Sequence, residues 1–187
     1  MKKKILVFGA SNSINSINHN FAKYTASQIG DVEINEIRLN EYGMPIFSVD
    51  REKAEGYPQL AHDFVNKIKK SDGLVISFAE HNGNYTAAFK NISDWISRVE
   101  LKTYLDKPTF LLSTSPGKGG AKSVLGVAEK EFKIRGANII GTFSLPSFNS
   151  NFSEENGILD KELKKEYNNK LEQFKRNLKE FNAISIV

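Results

Sequence analysis

The fold class this sequence predicts is an α/β domain built on an open, mostly parallel, five-stranded sheet, and three observations lead there. Short apolar runs alternate with helically spaced apolar residues from one end of the chain to the other. The polar segments at 11–18, 79–86 and 113–121 follow apolar runs, where the strand-to-helix turns of such sheets lie. The 187 residues include no cysteine. A chain of this size removes roughly 70% of its unfolded surface from water and needs no disulfide or metal staple.

The elements follow in order. Residues 5–8 read as a buried strand, and residues 18–29 as a helix whose spacing is set by Ile17, Phe21 and Tyr24. Residues 32–39 are half-polar, which places that strand nearer an edge. Pro58 opens a helix marked by Leu60, Phe64 and Ile68, a position that suits proline's fixed φ and missing N–H. Residues 73–78 form a central strand, Ala88, Ile92, Trp95, Ile96 and Val99 share one helical face, and residues 108–113 form a fourth strand. Val124, Ala128 and Phe132 mark the next helix, which Gly136 ends, and residues 138–145 return as a fifth strand with Gly141 inside. Leu163, Tyr167, Leu171, Phe174, Leu178 and Phe181 stripe a long closing helix. No linker or repeat divides the chain, so residues 1–187 are expected to be one domain with right-handed crossovers. The connections 40–57 and 146–156 are long, as functional or interface segments often are.

Charge and cysteine usage narrow the function. The net charge is +4, but basic and acidic residues interleave and no Arg/aromatic cluster occurs, so a solvated surface rather than a nucleic-acid partner is expected. Lys2, Lys3 and Lys4 before residues 5–8 imitate a signal peptide whose apolar stretch is too short. No run approaches the ~20 apolar residues of a membrane span, and the expectation is a soluble cytoplasmic protein with no membrane partner. Without cysteine there is no thiol redox chemistry, Cys-based zinc site or Cys nucleophile, so electron transfer would rely on a bound cofactor.

Candidate chemistry sits in the three loops. In the first, Ser11, Ser13 and Ser16 bring hydroxyls to the start of a helix, where free N–H groups favour an anion. The dinucleotide and triphosphate glycine fingerprints are missing, so a phosphate monoester such as that of flavin mononucleotide is the natural ligand. Ser and Asn are equally the preferred helix N-caps, and that reading stands beside the first. In the second loop, Glu80, His81, Asn82, Gly83 and Asn84 offer backbone and amide groups suited to the edge of a planar heterocycle. An ordinary turn explains the same residues. In the third, Gly117, Gly119 and Gly120 let the backbone approach a flat ligand, and Lys118 reads as an exposed loop lysine or as a cation that attracts a pyridine-nucleotide phosphate.

With these residues in place, the chain resembles the NAD(P)H-dependent FMN reductase family, the flavodoxin-like group that includes quinone, azo-dye and chromate reductases. That family typically shows Gly-Ser-x-Arg-x-x-Ser-x-Asn after its first strand, Pro-Glu-Tyr-Asn-x-x-x-Pro-Gly-x-x-Lys-Asn-x-x-Asp-Trp after its third, and Ser-Pro-Gly with further glycines after its fourth. The counterparts here are Ser11, Ser16 and Asn18; Glu80, Asn82, Lys90, Asn91, Asp94 and Trp95; and Ser115, Pro116, Gly117 and Gly120. Ser13 stands where the family has arginine, His81 where it has tyrosine, and Thr86-Ala87 where it has Pro-Gly.

The resemblance implies a flavodoxin-like three-layer sandwich with strand order 2-1-3-4-5. It further implies non-covalent FMN held by Ser11, Ser13, Ser16, Ile17, Asn18, Glu80, His81, Asn82, Gly83, Ser115, Pro116, Gly117 and Gly120. NAD(P)H would be the co-substrate and a flavin, quinone or similar small molecule the electron acceptor. The assembly it implies is a homodimer or dimer of dimers, with the loops around Phe47 and Phe148 supplying walls or contacts. Because the cofactor carries the chemistry, no catalytic side chain and no metal ligand are assigned. Trp95 is expected in the core and Asp94 in a local hydrogen bond or dimer contact. Two other readings remain: a flavodoxin-type electron carrier, although those are commonly strongly acidic, and a flavin-free α/β binding module.

Overall fold

The computed structural model describes residues 2–181; the predicted single domain also takes in Met1 and residues 182–187, which lie outside the described residues. Lys3–Ala10 forms β1, followed by α1 (Ile17–Ser27), β2 (Val32–Glu36), a 3-10 turn (Leu39–Glu41), α2 (Val49–Glu55), α3 (Gln59–Lys69) and β3 (Gly73–Phe78). A small hairpin of β4 (Glu80–His81) and β5 (Asn84–Tyr85) leads to α4 (Ala87–Val99), β6 (Pro108–Thr114), α5 (Lys122–Ile134) and β7 (Asn138–Leu145). The chain continues through α6 (Phe148–Asn151), a second hairpin of β8 (Phe152–Ser153) and β9 (Gly157–Ile158), and α7 (Lys161–Glu180).

The main sheet runs β2-β1-β3-β6-β7 with every neighbouring pair parallel, which is the expected order 2-1-3-4-5 once only its own strands are counted. Alternation of side chains along each strand gives the sheet two apolar faces. Leu6, Phe8, Leu74, Ile76, Phe78 and Leu111 join one core with residues of α3, α4 and α5, including Phe64, Ile92, Trp95 and Phe132. Ile5, Val7, Val75, Phe110, Leu112 and Phe143 join the other with Phe21 and Ala22 of α1 and Tyr167, Leu171 and Phe174 of α7. These are the three layers, and they leave β1, β3 and β6 buried on both sides.

Several elements differ from their sequence reading, each for a local reason. The second strand ends at Glu36 rather than 39; Ile37 N–H still reaches Val7 O at 3.0 Å, but Leu39 then turns into the 3-10 segment. The connection 40–57 contains α2, capped by Ser48 Oγ accepting from Arg51 N at 3.1 Å. This helix buries no residue, so it has no apolar stripe to read. Phe89, outside the predicted stripe of α4, is fully buried and packs on Phe78 with ring centroids 5.5 Å apart. In β7 the register skips Ile140 between Thr109 and Phe110, a bulge at Gly141, where a Cβ would lie 3.4 Å from the Phe110 ring. Phe181 caps α7 instead of extending its stripe.

The Lys90–Trp95 segment of α4 is structural. Trp95 is fully buried as expected, and its Nε1 donates to Pro45 O at 2.7 Å. Asn91 Oδ1 accepts from Phe47 N at 2.8 Å while its Nδ2 donates to Met44 O at 3.0 Å, so one amide grips the 44–47 loop from both sides. Lys90 and Asp94 form the local pair, 2.6 Å apart. In the loops around Phe47 and Phe148 the two rings themselves pack on the protein: Phe47 meets Trp95 edge-on at 5.0 Å, and Phe148 is buried and stacks on Phe152 at 4.8 Å.

Candidate functional site

Because β1, β3 and β6 are adjacent and parallel, their carboxyl ends and the loops that follow them share one rim of the sheet. The first loop begins where Gly9 lets α1 close onto β1. A Cβ there would lie 2.6 Å from His19 Cα and 2.8 Å from Asn18 C, so no other residue permits this approach. Ser16 Oγ caps α1 by accepting from His19 N at 3.1 Å, and Ser11 Oγ accepts from Ser13 N at 3.2 Å. The N–H groups of Asn12, Ile14, Asn15, Ile17 and Asn18 have no hydrogen-bond partner among the described residues. These donors at a helix start form a ready cradle for a phosphate. Of the two readings of the loop, the cap is realised by Ser16, and the backbone N–H groups beside it are left free.

Asn18 ties this loop to the two strands beside it. Its Oδ1 accepts from Ser77 Oγ at 2.7 Å and from Thr114 N at 3.0 Å, and its Nδ2 donates to Thr114 O at 3.0 Å. The side chain is buried and serves as a bolt between α1, β3 and β6.

The second loop is a tight hairpin, a more regular form of the ordinary turn that its Asn and Gly residues allow. Glu80 pairs with Tyr85 and His81 with Asn84 across the turn Asn82-Gly83, whose φ values of 52° and 76° are those of a type I′ turn. Thr86 Oγ1 donates to Ala10 O at 3.1 Å, which fixes the hairpin base against the first loop. Tyr85 seats it on the core at 5.0 Å from the Phe89 ring, and burial beside the Glu131 carboxylate pushes its hydroxyl well above the usual phenol range. His81, Asn82, Gly83 and Asn84 stay exposed.

Glu80 takes a role its position in the motif did not reveal. α5 starts at Ala121 in the left-handed region, with no side-chain cap of its own, and Glu80 Oε2 accepts from Val124 N at 2.9 Å. A carboxylate here satisfies an orphan donor and faces the positive end of the helix dipole. Glu80→Ala is expected to lower stability by about 1 kcal/mol, read as a shift in the urea unfolding midpoint.

The third loop is fixed from below and open above. Gly120 (φ 60°) is buried where a Cβ would lie 3.0 Å from Pro146 N, and its carbonyl accepts from both Ser113 Oγ and Ser144 Oγ at 2.8 Å. Gly117 O accepts from Ser147 N at 2.9 Å and Ser115 O from Phe148 N at 3.0 Å. Pro116, Gly117, Lys118 and Gly119 are exposed, and the N–H groups of Gly117, Lys118 and Gly119 have no partner among the described residues.

The predicted residues thus share one rim but divide by task. Ser16, Asn18, Glu80 and Gly120 hold the loops through the groups just named, while Ser11, Ser13, His81, Asn82, Gly83, Pro116 and Gly117 lie where solvent reaches them. Gly9, Ser77, Thr86 and Thr114 were not among the predicted site residues. Gly9, a small residue at a strand end followed by a helix, and Thr86, a threonine in N-cap position, carried local signals. A shallow groove of about 470 Å³ lies elsewhere, lined by Asn35, Tyr42, Leu60 and Asp63 among others, and none of the three loops contributes to it.

A parallel sheet covered on both faces, with this strand order, defines a flavodoxin-like α/β protein. A model of the family described as NADPH-dependent FMN reductase matches residues 3–152, and the chain belongs to that family. It is accordingly an oxidoreductase that works with FMN and NAD(P)H. An uncharacterized protein of Mycoplasma pneumoniae is 31% identical over 168 residues, covering 86% of this chain and 97% of that one. A quinone reductase of Escherichia coli is 31% identical over 92 residues, a match that spans 49% of this chain and 46% of that enzyme. A solved structure of an NAD(P)H:(acceptor) oxidoreductase flavoenzyme from Paracoccus denitrificans has a TM-score of 0.74 at 20% identity, over 96% of this chain and 98% of that one, which shows the shared fold. Among the described residues, no helix is long and apolar enough to cross a membrane.

Proposed function

We propose that the chain folds as one domain, binds FMN non-covalently across the rim formed by 11–18, 80–85 and 115–120, and reduces a quinone, free flavin or similar small acceptor at the expense of NAD(P)H. The observation that carries this reading is the set of unpartnered N–H groups in residues 12–18, beside a glycine-rich loop from the next strand but one. FMN, when bound, supplies reversible two-electron chemistry. The protein holds and orients it. The backbone of 12–18 and the hydroxyls of Ser11 and Ser13 receive the phosphate, the Asn82-Gly83 turn offers backbone groups to the ring edge, and Pro116 and Gly117 let the third loop lie close to a flat ring. No acid, base or nucleophile is needed from a side chain, only a positioned cofactor with a face open to donor and acceptor in turn. A homodimer or dimer of dimers is the assembly this reading adopts, on the family resemblance.

Anaerobic mixing tests it. Added FMN is expected to lose its fluorescence on binding at one per chain, NADPH or NADH to bleach the flavin, and a benzoquinone to restore the colour. Binding without bleaching would make the protein an electron carrier, and unquenched FMN would leave an α/β module that binds no flavin.

A further inference from the structure

The first loop offers neutral donors only, since Ser11, Asn12, Ser13, Ile14, Asn15, Ser16, Ile17 and Asn18 include no charged side chain. A phosphate monoester carries close to two negative charges at neutral pH. The cation that reaches the loop comes instead from beyond the end of β2: Arg38 Nη1 donates to Ile14 O at 3.3 Å, the hydrogen bond from a charged side chain to this loop among the described residues.

Arg38 is placed there by a second contact. Its Nη2 lies 3.7 Å from Glu36 Oε1, and Glu36 also receives His19 Nε2 at 2.7 Å and faces Lys23 Nζ at 3.7 Å. One carboxylate between two fixed cations leaves a surplus positive charge beside the cradle. A guanidinium has five N–H donors in a planar fork. Ile14 O takes one from Nη1, and the rest make no hydrogen bond among the described residues.

We propose that Arg38 is the phosphate-recognising cation of the flavin site, reaching from the end of the second strand to a loop that has no charge of its own. This rests on the reading of the rim as the FMN site and adds to it the residue that distinguishes the phosphorylated flavin from riboflavin. The guanidinium suits the task because its fork matches two phosphate oxygens at once.

The test titrates the flavin-free protein with FMN and with riboflavin, in the wild type and in Arg38→Gln and Arg38→Lys, at low and high salt. Arg38→Gln is expected to weaken FMN at least ten-fold, to leave riboflavin within two-fold of wild type, and to flatten the salt dependence of FMN binding. Arg38→Lys is expected to recover part of the loss. Equal weakening of both flavins would mean that Arg38 only shapes the loop and would overturn the assignment, as would unchanged FMN affinity. The same variants are assayed with NADPH and NADH. A loss of NADPH preference with an intact FMN/riboflavin ratio would assign Arg38 to the nicotinamide nucleotide's phosphate and also overturn it. Wild-type protein that binds neither flavin would overturn the rim reading itself, a different result from all of these.

Discussion

Asn18→Ala is expected to cost about 3 kcal/mol of folding stability and at least a factor of ten in flavin affinity. The amide is the common partner of Ser77 Oγ, Thr114 N and Thr114 O, at 2.7, 3.0 and 3.0 Å, and all of these groups are buried. Alanine leaves a hydroxyl, an N–H and a carbonyl without their partner at once. Each such loss costs about 1–3 kcal/mol, moderated where water enters the space left behind. Ser77→Ala removes a single bond of the same network and is expected to cost only about 1 kcal/mol. Urea unfolding followed by circular dichroism measures both, and equal midpoints for the two variants would show that Asn18 is not the hub. The flavin effect follows from position: without this bolt, the start of α1 is no longer tied to the end of β6, and the first and third loops lose their fixed spacing.

The contrast between Asn18 and its neighbours shows how far the sequence can be read. The central strand was legible because a strand buried on both faces is a continuous apolar run, and residues 73–78 came out with the bounds the structure gives; the half-buried edge strand 138–145 did so too, between Gly136 and Pro146. α2 was not, because a helix that buries nothing has no periodic stripe, and only Ser48 marks its start. The Asn82-Gly83 turn did carry its signal, since Asn-Gly is a strong mark of a two-residue hairpin. It was hidden by the shortness of the strands on either side, two residues each. For the site, residue type located the three loops but not the direction of each side chain. Glu80 and Asn18 sit in the expected positions, yet their partners, Val124 and Thr114, lie 44 and 96 residues away, a distance no local pattern spans. Arg38 is the same problem in reverse. It lies outside every motif, and only the pairing of β2 beside β1 brings it to the loop.

Gly9→Ala is expected to be the other severe substitution, costing about 3 kcal/mol, at the upper end of what overpacking does to a well-packed core. The new methyl would stand 2.6 Å from His19 Cα and 2.8 Å from Asn18 C, and these are backbone atoms in the first turn of α1, so no rotamer change relieves the clash. The helix must move off β1. That movement lengthens the Asn18 bonds to Ser77 and Thr114 and pulls His19 from Glu36 Oε1, 2.7 Å away, so one methyl group strains several buried partnerships. Gly43→Ala is the control, because nothing lies within 4 Å of the added carbon there, and it should leave the unfolding midpoint nearly unchanged. The two variants differ from wild type by the same single methyl group. A large gap between their midpoints therefore measures how closely α1 is pressed onto the sheet, the closeness that sets where the free N–H groups of 12–18 point. If Gly9→Ala unfolds with the wild type, the helix can shift freely and its N-terminal donors are not held for any ligand.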